Sequence, residues 1–209
     1  MINPTTNNGA AFAGLRIGLL GGSFNPAHQG HLEMSRFALK RLELDQLWWL
    51  VSPQNPLKST NNMKPLVERL ASAQTILTPE SNILATDLET QLGVQYTIDT
   101  LRALRQHFDQ TRFVWLMGAD NLAEIHLWRD WTAIFSCMPI AVFRRAGYDH
   151  DTPASSKALQ RFAAVRQTID KAPLLATLAP PAWLVLDNPF NSLSATEIRK
   201  DRLPNERTA

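Results

Sequence analysis

The chain has 209 residues, 44% hydrophobic and 19% charged, a composition typical of a globular protein that folds as one domain. Its net charge of +2, with no lysine or arginine run longer than two residues, is too mild to indicate a nucleic-acid-binding surface. No apolar stretch approaches the ~20 residues that span a bilayer, and the polar N-terminus does not resemble a secretory signal. The single cysteine, Cys137, excludes an intramolecular disulfide and a cysteine-based metal cluster, and we expect a cytoplasmic protein.

Apolar runs rich in β-branched and aromatic residues alternate along the chain with segments of helical apolar spacing. Residues 1–14, rich in Asn and Thr, are predicted to be a disordered tail, and residues 15–209 a single domain. Strands are predicted, in chain order, over residues 16–20, 46–51, 82–85, 112–117, 140–143 and 183–186. Helices are predicted over residues 31–42, 66–77, 97–108, 121–135 and 156–166, with a short last helix from about residue 195, and loops over 52–65, 147–154 and 172–181. This order predicts an α/β fold with a Rossmann-like, doubly wound, mostly parallel sheet.

The segment GGSFNPAHQGH, residues 21–31, follows the first predicted strand and leads into the first predicted helix. Glycines let a backbone approach a bound anion closely, and the N–H groups at a helix N-terminus attract one. His28 and His31 are three residues apart, so both imidazoles lie on one helix face. An incidental histidine pair or a metal site is the alternative, but one pair supplies only two ligands. The segment therefore predicts a phosphate-binding turn at the carboxyl end of a strand, where such sheets bind ligands.

The same segment resembles the (G/T)-x-F-(D/N)-P-x-H-x-G-H signature of the nucleotidyltransferase superfamily, whose members join a nucleotide to a phosphate-bearing acceptor. The resemblance implies that His28 and His31 are catalytic and donate to the phosphate oxygens of ATP. It also implies a wider set of ATP contacts in this segment, namely Gly21, Gly22, Ser23, Phe24, His28 and His31.

Near the C-terminus, LSATEIR at 193–199 is by composition a helix start. It resembles the I-S-x-T-x-I-R element of the superfamily, which implies that Ser194, Thr196 and Arg199 hold the triphosphate. Gly118 and Asp120 follow the fourth predicted strand, where Asp120 either caps the next helix or binds a ribose hydroxyl of ATP. Mg²⁺ is expected on the phosphates of ATP, and no metal site built by the protein is expected.

Further elements resemble one group within the superfamily, the nicotinate mononucleotide adenylyltransferases. GADNL at 118–122, followed by a W-x-x-W pair, implies that Trp128 stacks on the pyridine ring and that the backbone amide of Arg129 binds its carboxylate. Without the resemblance, Trp128 and Trp131 are typical of a core. YTIDTL at 96–101 implies a nicotinate contact by Thr97, whose alternative role is a helix N-cap.

Two basic elements complete the resemblance. NPLK at 55–58, by composition a turn, makes Asn55 and Lys58 candidates to bind the acceptor's phosphate. Arg145, the second arginine of a pair that ends the fifth predicted strand, is implied in acceptor binding too. Ala146 stands where the group has proline. The alternative for the arginine pair is a solvated surface charge.

The resemblance covers about residues 16–149 and 183–200. It implies transfer of AMP from ATP to nicotinate mononucleotide, giving nicotinate adenine dinucleotide and pyrophosphate in NAD biosynthesis. Nicotinamide mononucleotide and phosphopantetheine are alternative acceptors, and a nucleotide-binding regulator without turnover is an alternative of another class. The expected partners are these small molecules, with no nucleic acid and no membrane, and the sequence does not predict an oligomeric state.

Overall fold

The computed structural model describes residues 9–53, 63–144 and 156–187. These residues build one six-stranded sheet in which every pairing is parallel and the strand order is β3-β2-β1-β4-β5-β6. The strands are β1 (Arg16–Gly22), β2 (Gln46–Val51), β3 (Ile83–Thr86), β4 (Arg112–Gly118), β5 (Ile140–Arg144) and β6 (Trp183–Asp187). The Rossmann-like, doubly wound sheet predicted from the sequence is thereby confirmed.

Helices connect the strands and cover both faces of the sheet. They are α1 (Gln29–Arg41), α2 (Leu66–Ile76), α3 (Leu88–Gln91), α4 (Thr97–His107), α5 (Ala119–Glu124), α6 (Trp131–Cys137) and α7 (Lys157–Arg161). Segments of 3₁₀ helix occupy Ala10–Phe12, Ile125–Leu127, Ala163–Val165 and Ile169–Thr177. None of the helices in the described ranges is both long enough and apolar enough to cross a membrane.

The strands are apolar on both sides because each side of the sheet packs against helices. Trp48 and Trp49 of β2 are both fully buried, yet they belong to two different core clusters. The cluster of Trp48 includes Leu101 of α4, whereas the cluster of Trp49 includes Leu32 of α1. Successive side chains of a strand point to opposite faces, so α1 and α4 lie on opposite faces of the sheet.

The strand order reverses direction at β1. The chain moves from β1 through β2 to β3 at one edge, then crosses to β4 beside β1 and continues to β6 at the other edge. The connections that leave the carboxyl ends of β1 and β4 therefore diverge and open a crevice between them. Gly22 and Gly118, the last residues of these two strands, lie at this crevice.

The prediction of one helix over residues 121–135 is wrong. The backbone of Trp128 is extended, with φ −82° and ψ 146°, and Asp130 is left-handed, with φ 47°. The helical apolar spacing persists because Ile125 and Ile134, on either side of this break, both pack in the core. The apolar periodicity therefore predicts correctly which residues are buried, but it does not predict the irregular backbone between α5 and α6.

Two further segments differ from the sequence predictions. The disordered tail predicted over residues 1–14 does not extend over the described residues 9–14, because Phe12 is buried with its ring 5.1 Å from Trp48 and 5.8 Å from Phe108. The loop predicted over 172–181 begins inside a 3₁₀ helix, in which Ala172 and Leu175 are buried. In both places a few apolar side chains in a weakly patterned segment are enough to fix it on the core.

Candidate active site at the switch point of the sheet

The turn after β1 positions the two histidines. Phe24 has a left-handed φ of 46°, uncommon for a phenylalanine, and its buried ring stacks on Trp49 at 4.9 Å. His28 is the N-cap of α1, and its N–H donates to Nδ1 of His31 at 3.3 Å. The two imidazole rings lie 3.7 Å apart, and the ring of Phe24 lies 4.9 Å from that of His31. The turn thus brings His28 and His31 together at the N-terminus of α1, as the sequence predicted.

Phe24 and Gly21, two of the predicted ATP contacts, have no accessible side chain with which to bind a ligand. The side chain of Phe24 is 2% exposed, so this residue can offer a ligand little more than its backbone. A Cβ built on Gly21 would lie 2.5 Å from Cη2 of Trp115, which explains why glycine is required where β1 passes the indole. The absent side chain leaves the indole room at the wall of the crevice.

A cavity of about 400 Å³ lies in the crevice. Six of the predicted site residues line it: Gly21, Gly22, Ser23, Thr97, Trp128 and Arg129. The remaining lining residues, which are not among the predicted site residues, are Ser52, Glu89, Gln95, Tyr96, Trp115, Asn121 and Leu127. The volume of the cavity and its mixture of aromatic and polar groups suit a small organic ligand. The cavity and the histidine pair are joined through residues 21–23, which line the cavity and begin the turn.

The far wall of the cavity comes from α4 and from the break between α5 and α6. Tyr96 is the N-cap of α4 and Thr97 is its first residue, so the capping position belongs to Tyr96 rather than to Thr97. The guanidinium of Arg129 lies 4.8 Å from the centre of the Tyr96 ring and 3.3 Å from a carboxylate oxygen of Asp99. The break at 128–130 thus holds Trp128 and Arg129 at the cavity.

The two tryptophans of the W-x-x-W pair have different surroundings. Trp128 is partly buried and lines the cavity. Trp131 begins α6 and packs edge-on against Phe135 and Phe162, with centroids 6.5 and 6.0 Å away. Both rings pack against the same core cluster, so the core alternative holds for Trp131 and in part for Trp128, and of the two only Trp128 also lines the cavity.

Gly118 and Asp120 lie at the carboxyl end of β4. Gly118, not Asp120, occupies the N-cap position of α5. Asp120 follows in the first turn of α5, and its Oδ1 lies 2.2 Å from the place that a Cβ on Gly118 would take. The carboxylate thus lies over Gly118. The structure therefore contradicts the alternative that Asp120 is the N-cap of α5.

Glu89 is a buried carboxyl group in the cavity wall that sequence reasoning missed. It lies in the short helix α3, is 5% exposed, and accepts a hydrogen bond at 3.1 Å from Oγ1 of Thr100. Burial raises the pKa of Glu89 above its ordinary value, and the hydroxyls of Thr100 and Ser52 counteract part of that rise. A helix of four residues is too short to show a sequence period, so nothing in the pattern marked this residue.

Arg69 of α2 is a second buried charge that the sequence did not reveal. It is 2% exposed and donates to four backbone carbonyls, those of Ser23, Ser52, Pro53 and Lys64. Burial lowers the pKa of its guanidinium, yet an arginine keeps its proton at neutral pH. The site therefore contains a fixed positive charge behind the turn.

Several predicted residues lie outside the described ranges, and so does the predicted helix near residue 195. They are Asn55, Lys58, Arg145, Ser194, Thr196 and Arg199. Arg144, the neighbour of Arg145, is described and donates through Nε to Asp187 at 2.6 Å. The described residues hold no group of three or more His, Cys, Asp or Glu side chains that could bind a metal ion.

The chain is similar to known proteins at two levels, a broad class of enzymes and one family within that class. The model of the cytidylyltransferase-like family matches residues 19–201. A "Probable nicotinate-nucleotide adenylyltransferase" of Methylorubrum extorquens is 49% identical over 185 residues, which is 88% of this chain and 99% of the relative. The protein of the same name from Parvibaculum lavamentivorans is 49% identical over 187 residues, 90% of this chain and 92% of the relative.

A solved structure supports the fold. The nicotinic acid mononucleotide adenylyltransferase of Plasmodium falciparum, complexed with NaAD, aligns with a TM-score of 0.64 at 19% identity. The alignment covers 89% of this chain and 83% of that one. At this identity the likeness concerns the fold alone.

The parallel sheet, the crevice at its switch point and the family match define a cytidylyltransferase-like nucleotidyltransferase. Within that class, the identity over nearly the whole length of its relatives shows that the chain belongs to the nicotinate-nucleotide adenylyltransferase family.

Proposed function

We propose that this protein transfers AMP from ATP to nicotinate mononucleotide, giving nicotinate adenine dinucleotide and pyrophosphate in NAD biosynthesis. One observation carries the proposal. The cavity and the histidine pair are continuous through residues 21–23, at the end of the central strand β1. A pocket for one nucleotide therefore adjoins a turn suited to the phosphates of the other.

In the proposed reaction, an oxygen of the acceptor's 5′-phosphate attacks the α-phosphorus of ATP. The bond from that phosphorus to the bridging oxygen breaks, and pyrophosphate leaves with the electron pair. The two phosphate groups need only be aligned and their charge stabilised, so no covalent intermediate with the protein is needed. His28 and His31 donate to phosphate oxygens as charge moves to the leaving group, and ATP enters as its Mg²⁺ complex.

The acceptor is proposed to occupy the cavity. Trp128 stacks on its pyridine ring, while Thr97 and the backbone amide of Arg129 donate to its carboxylate. Donors around both oxygens favour a carboxylate over an amide, whose NH₂ would face another donor. The cationic guanidinium of Arg129, held at the cavity by Tyr96 and Asp99, supports this preference.

The remaining contacts belong to the same proposal. Gly21, Gly22, Ser23 and the backbone of Phe24 approach the ATP phosphates, and Gly118 and Asp120 bind the nucleoside of ATP. Ser194, Thr196 and Arg199 are proposed to hold its triphosphate, and Asn55, Lys58 and Arg145 the phosphate of the acceptor. We further propose that residues 15–209 act as one domain and that the reaction takes place in the cytoplasm.

The first experiment is turnover with purified protein, ATP and Mg²⁺. Nicotinate mononucleotide, nicotinamide mononucleotide and phosphopantetheine are supplied separately, and adenylylated product and pyrophosphate are both measured. Fast turnover with the first acceptor alone supports the proposal. Turnover with only another acceptor would overturn the roles of Trp128 and Thr97, and ATP binding without pyrophosphate release would indicate a regulator.

The role of the histidines has its own test. The variant His31→Ala is expected to keep its circular dichroism spectrum while kcat falls by about 10²–10³-fold, the usual cost of losing one donor to developing charge. Near-normal turnover by this variant would refute the assignment.

A further inference from the structure

Arg69 links two chain segments, one at Ser23 and one at Ser52. They are almost thirty residues apart in sequence, but they lie side by side because β1 and β2 are paired. Its Nη1 donates to the carbonyl oxygen of Ser23 at 2.5 Å and to that of Ser52 at 2.8 Å. Its Nη2 donates to Pro53 at 3.0 Å, and its Nε to Lys64 at 2.8 Å. A guanidinium has five N–H donors in a fixed plane, so this side chain uses most of them on backbone.

The two linked segments are the ones that the reaction must align. Ser23 lies in the turn that carries His28 and His31, and Ser52, with Pro53 after it, follows β2 and lines the cavity. A backbone hydrogen bond from the N–H of Ser52 to the carbonyl of Gly22, at 2.9 Å, is the last rung between β1 and β2. Beyond that rung, Arg69 bonds to both segments, and the N–H of Lys64 donates directly to Oδ1 of Asn25 in the turn at 3.3 Å.

The chemistry of the site explains why this group is an arginine. Each carbonyl oxygen to which it donates would need another partner if the guanidinium were absent, since a buried polar group without one is costly. The ammonium of a lysine has only three donors in a compact group, so it cannot reproduce the planar fork that reaches four oxygens. None of the ion pairs in the described ranges involves Arg69, so its charge is balanced there by carbonyl dipoles alone.

We propose that Arg69 is a positioning residue for phosphate transfer: its guanidinium sets the spacing between the ATP-binding turn and residues 52–53 at the edge of the acceptor cavity. It touches neither substrate and acts through the backbone of Ser23, Ser52 and Pro53. The inference rests on the proposed function, because it assigns ATP to the turn and the acceptor to the cavity that Ser52 lines. Its buried positive charge also lowers the energy of phosphate anions gathered at the ends of β1 and β2.

The test compares Arg69→Lys with a matched control, Arg105→Lys. Arg105 also lies on a helix and donates to a backbone carbonyl, that of Cys137 at 2.8 Å, but it contacts neither segment. Thermal unfolding, kcat, and the separate dissociation constants for ATP and nicotinate mononucleotide are measured on both variants, well below their unfolding midpoints. For Arg69→Lys we expect kcat to fall by about 10- to 100-fold, the effect of a shift of about 1 Å between reacting groups. Each dissociation constant is expected to change by less than about threefold, because neither substrate touches the guanidinium.

A purely structural role would give a different result. It would lower the unfolding midpoint and leave kcat per folded molecule unchanged, and that outcome overturns the inference. So does an equal loss of kcat in Arg105→Lys. No turnover by the wild-type protein would refute the proposed function and this inference with it, whereas normal kcat in Arg69→Lys refutes the inference alone.

If Arg69→Lys does not fold, the inference is tested on the wild-type protein. The Nε–H resonance of Arg69 is followed by NMR during titration with a non-hydrolysable ATP analogue and then with nicotinate mononucleotide. A shift at each step supports the linkage of the two segments through Arg69. No shift with either ligand would contradict it.

Discussion

The substitution Gly21→Ala tests how tightly the wall of the cavity is packed. A Cβ on Gly21 would lie 2.5 Å from Cη2 and 3.1 Å from Cζ2 of Trp115. Carbon atoms in contact are about 3.5–4.0 Å apart, so the indole or the strand must move by roughly 1 Å. Trp115 is 3% exposed and packs in the same core cluster as Trp48, so the ring cannot simply turn into solvent.

The size of the effect follows from that displacement. Inserting a methyl group into a well-packed interior costs about 1–3 kcal/mol. For a domain of this length, such a loss lowers the unfolding midpoint by about 2–12 °C. Because Gly21 and Trp115 both line the cavity, we also expect kcat/KM for the acceptor to fall by about 10-fold or more. Thermal unfolding and steady-state kinetics on the same preparation measure both effects.

Two further variants make this prediction refutable. Gly22→Ala is the matched control for stability, since its Cβ would lie 3.3 Å from the nearest atom, Cε2 of Phe24, and we expect a smaller loss. Trp115→Phe in the Gly21→Ala background removes the obstructing ring edge, so the double variant should be more stable than the sum of the single effects predicts. Strict additivity, or an unchanged midpoint in Gly21→Ala, would refute the packing argument.

Three other predictions concern Glu89, Trp128 and Phe12. Burial raises the pKa of Glu89 in the folded protein above its unfolded value, so wild-type stability should fall as pH rises from the ordinary glutamate pKa toward the folded one. Glu89→Gln should lose that dependence, and parallel unfolding-versus-pH curves for the two proteins would contradict it. Trp128→Ala should raise KM for nicotinate mononucleotide by about 10-fold, through lost stacking and contact area, with KM for ATP unchanged. An equal rise for both substrates would refute the stacking role. Phe12→Ala should cost about 3–5 kcal/mol in denaturant unfolding because its ring packs on Trp48, and a loss below about 1 kcal/mol would mean that residues 9–14 are dispensable.

The sheet was predictable because its strands have a strong local signal. In the segment Gln46–Val51, five consecutive residues are buried, and the unbroken apolar run that results is typical of a strand covered on both faces. The segment 21–31 was equally informative, since its glycines, proline and histidines each meet a local requirement of a strand-to-helix turn. Thr97 and Trp128, which the resemblance implies in acceptor binding, both line the cavity, and their roles stay predictions.

The parts that sequence reasoning missed depend on tertiary contacts. Arg69 lies in an amphipathic helix where an arginine is expected to be solvated, and only the folded chain shows the carbonyls around it. Glu89 is buried because α3 packs against other elements, and no local periodicity in the sequence predicts that packing. The break at Asp130 was hidden because apolar residues on both sides keep helical spacing. For Arg69 the deciding interactions join residues far apart in sequence, such as Ser23 and Arg69.

The strand order has a consequence for how the chain acquires its site during folding. The central strand β1 pairs with β2 on one side and with β4 on the other, where Arg16 lies opposite Arg112. A chain that has emerged from the ribosome only as far as α4 has one open edge of β1 and no second wall for the crevice. Such an edge is able to pair with other chains, and closing it requires a contact across almost one hundred residues. Nucleotide binding therefore becomes possible only after the fourth strand has docked, so ligand-dependent protection from proteolysis during refolding should appear together with burial of β4.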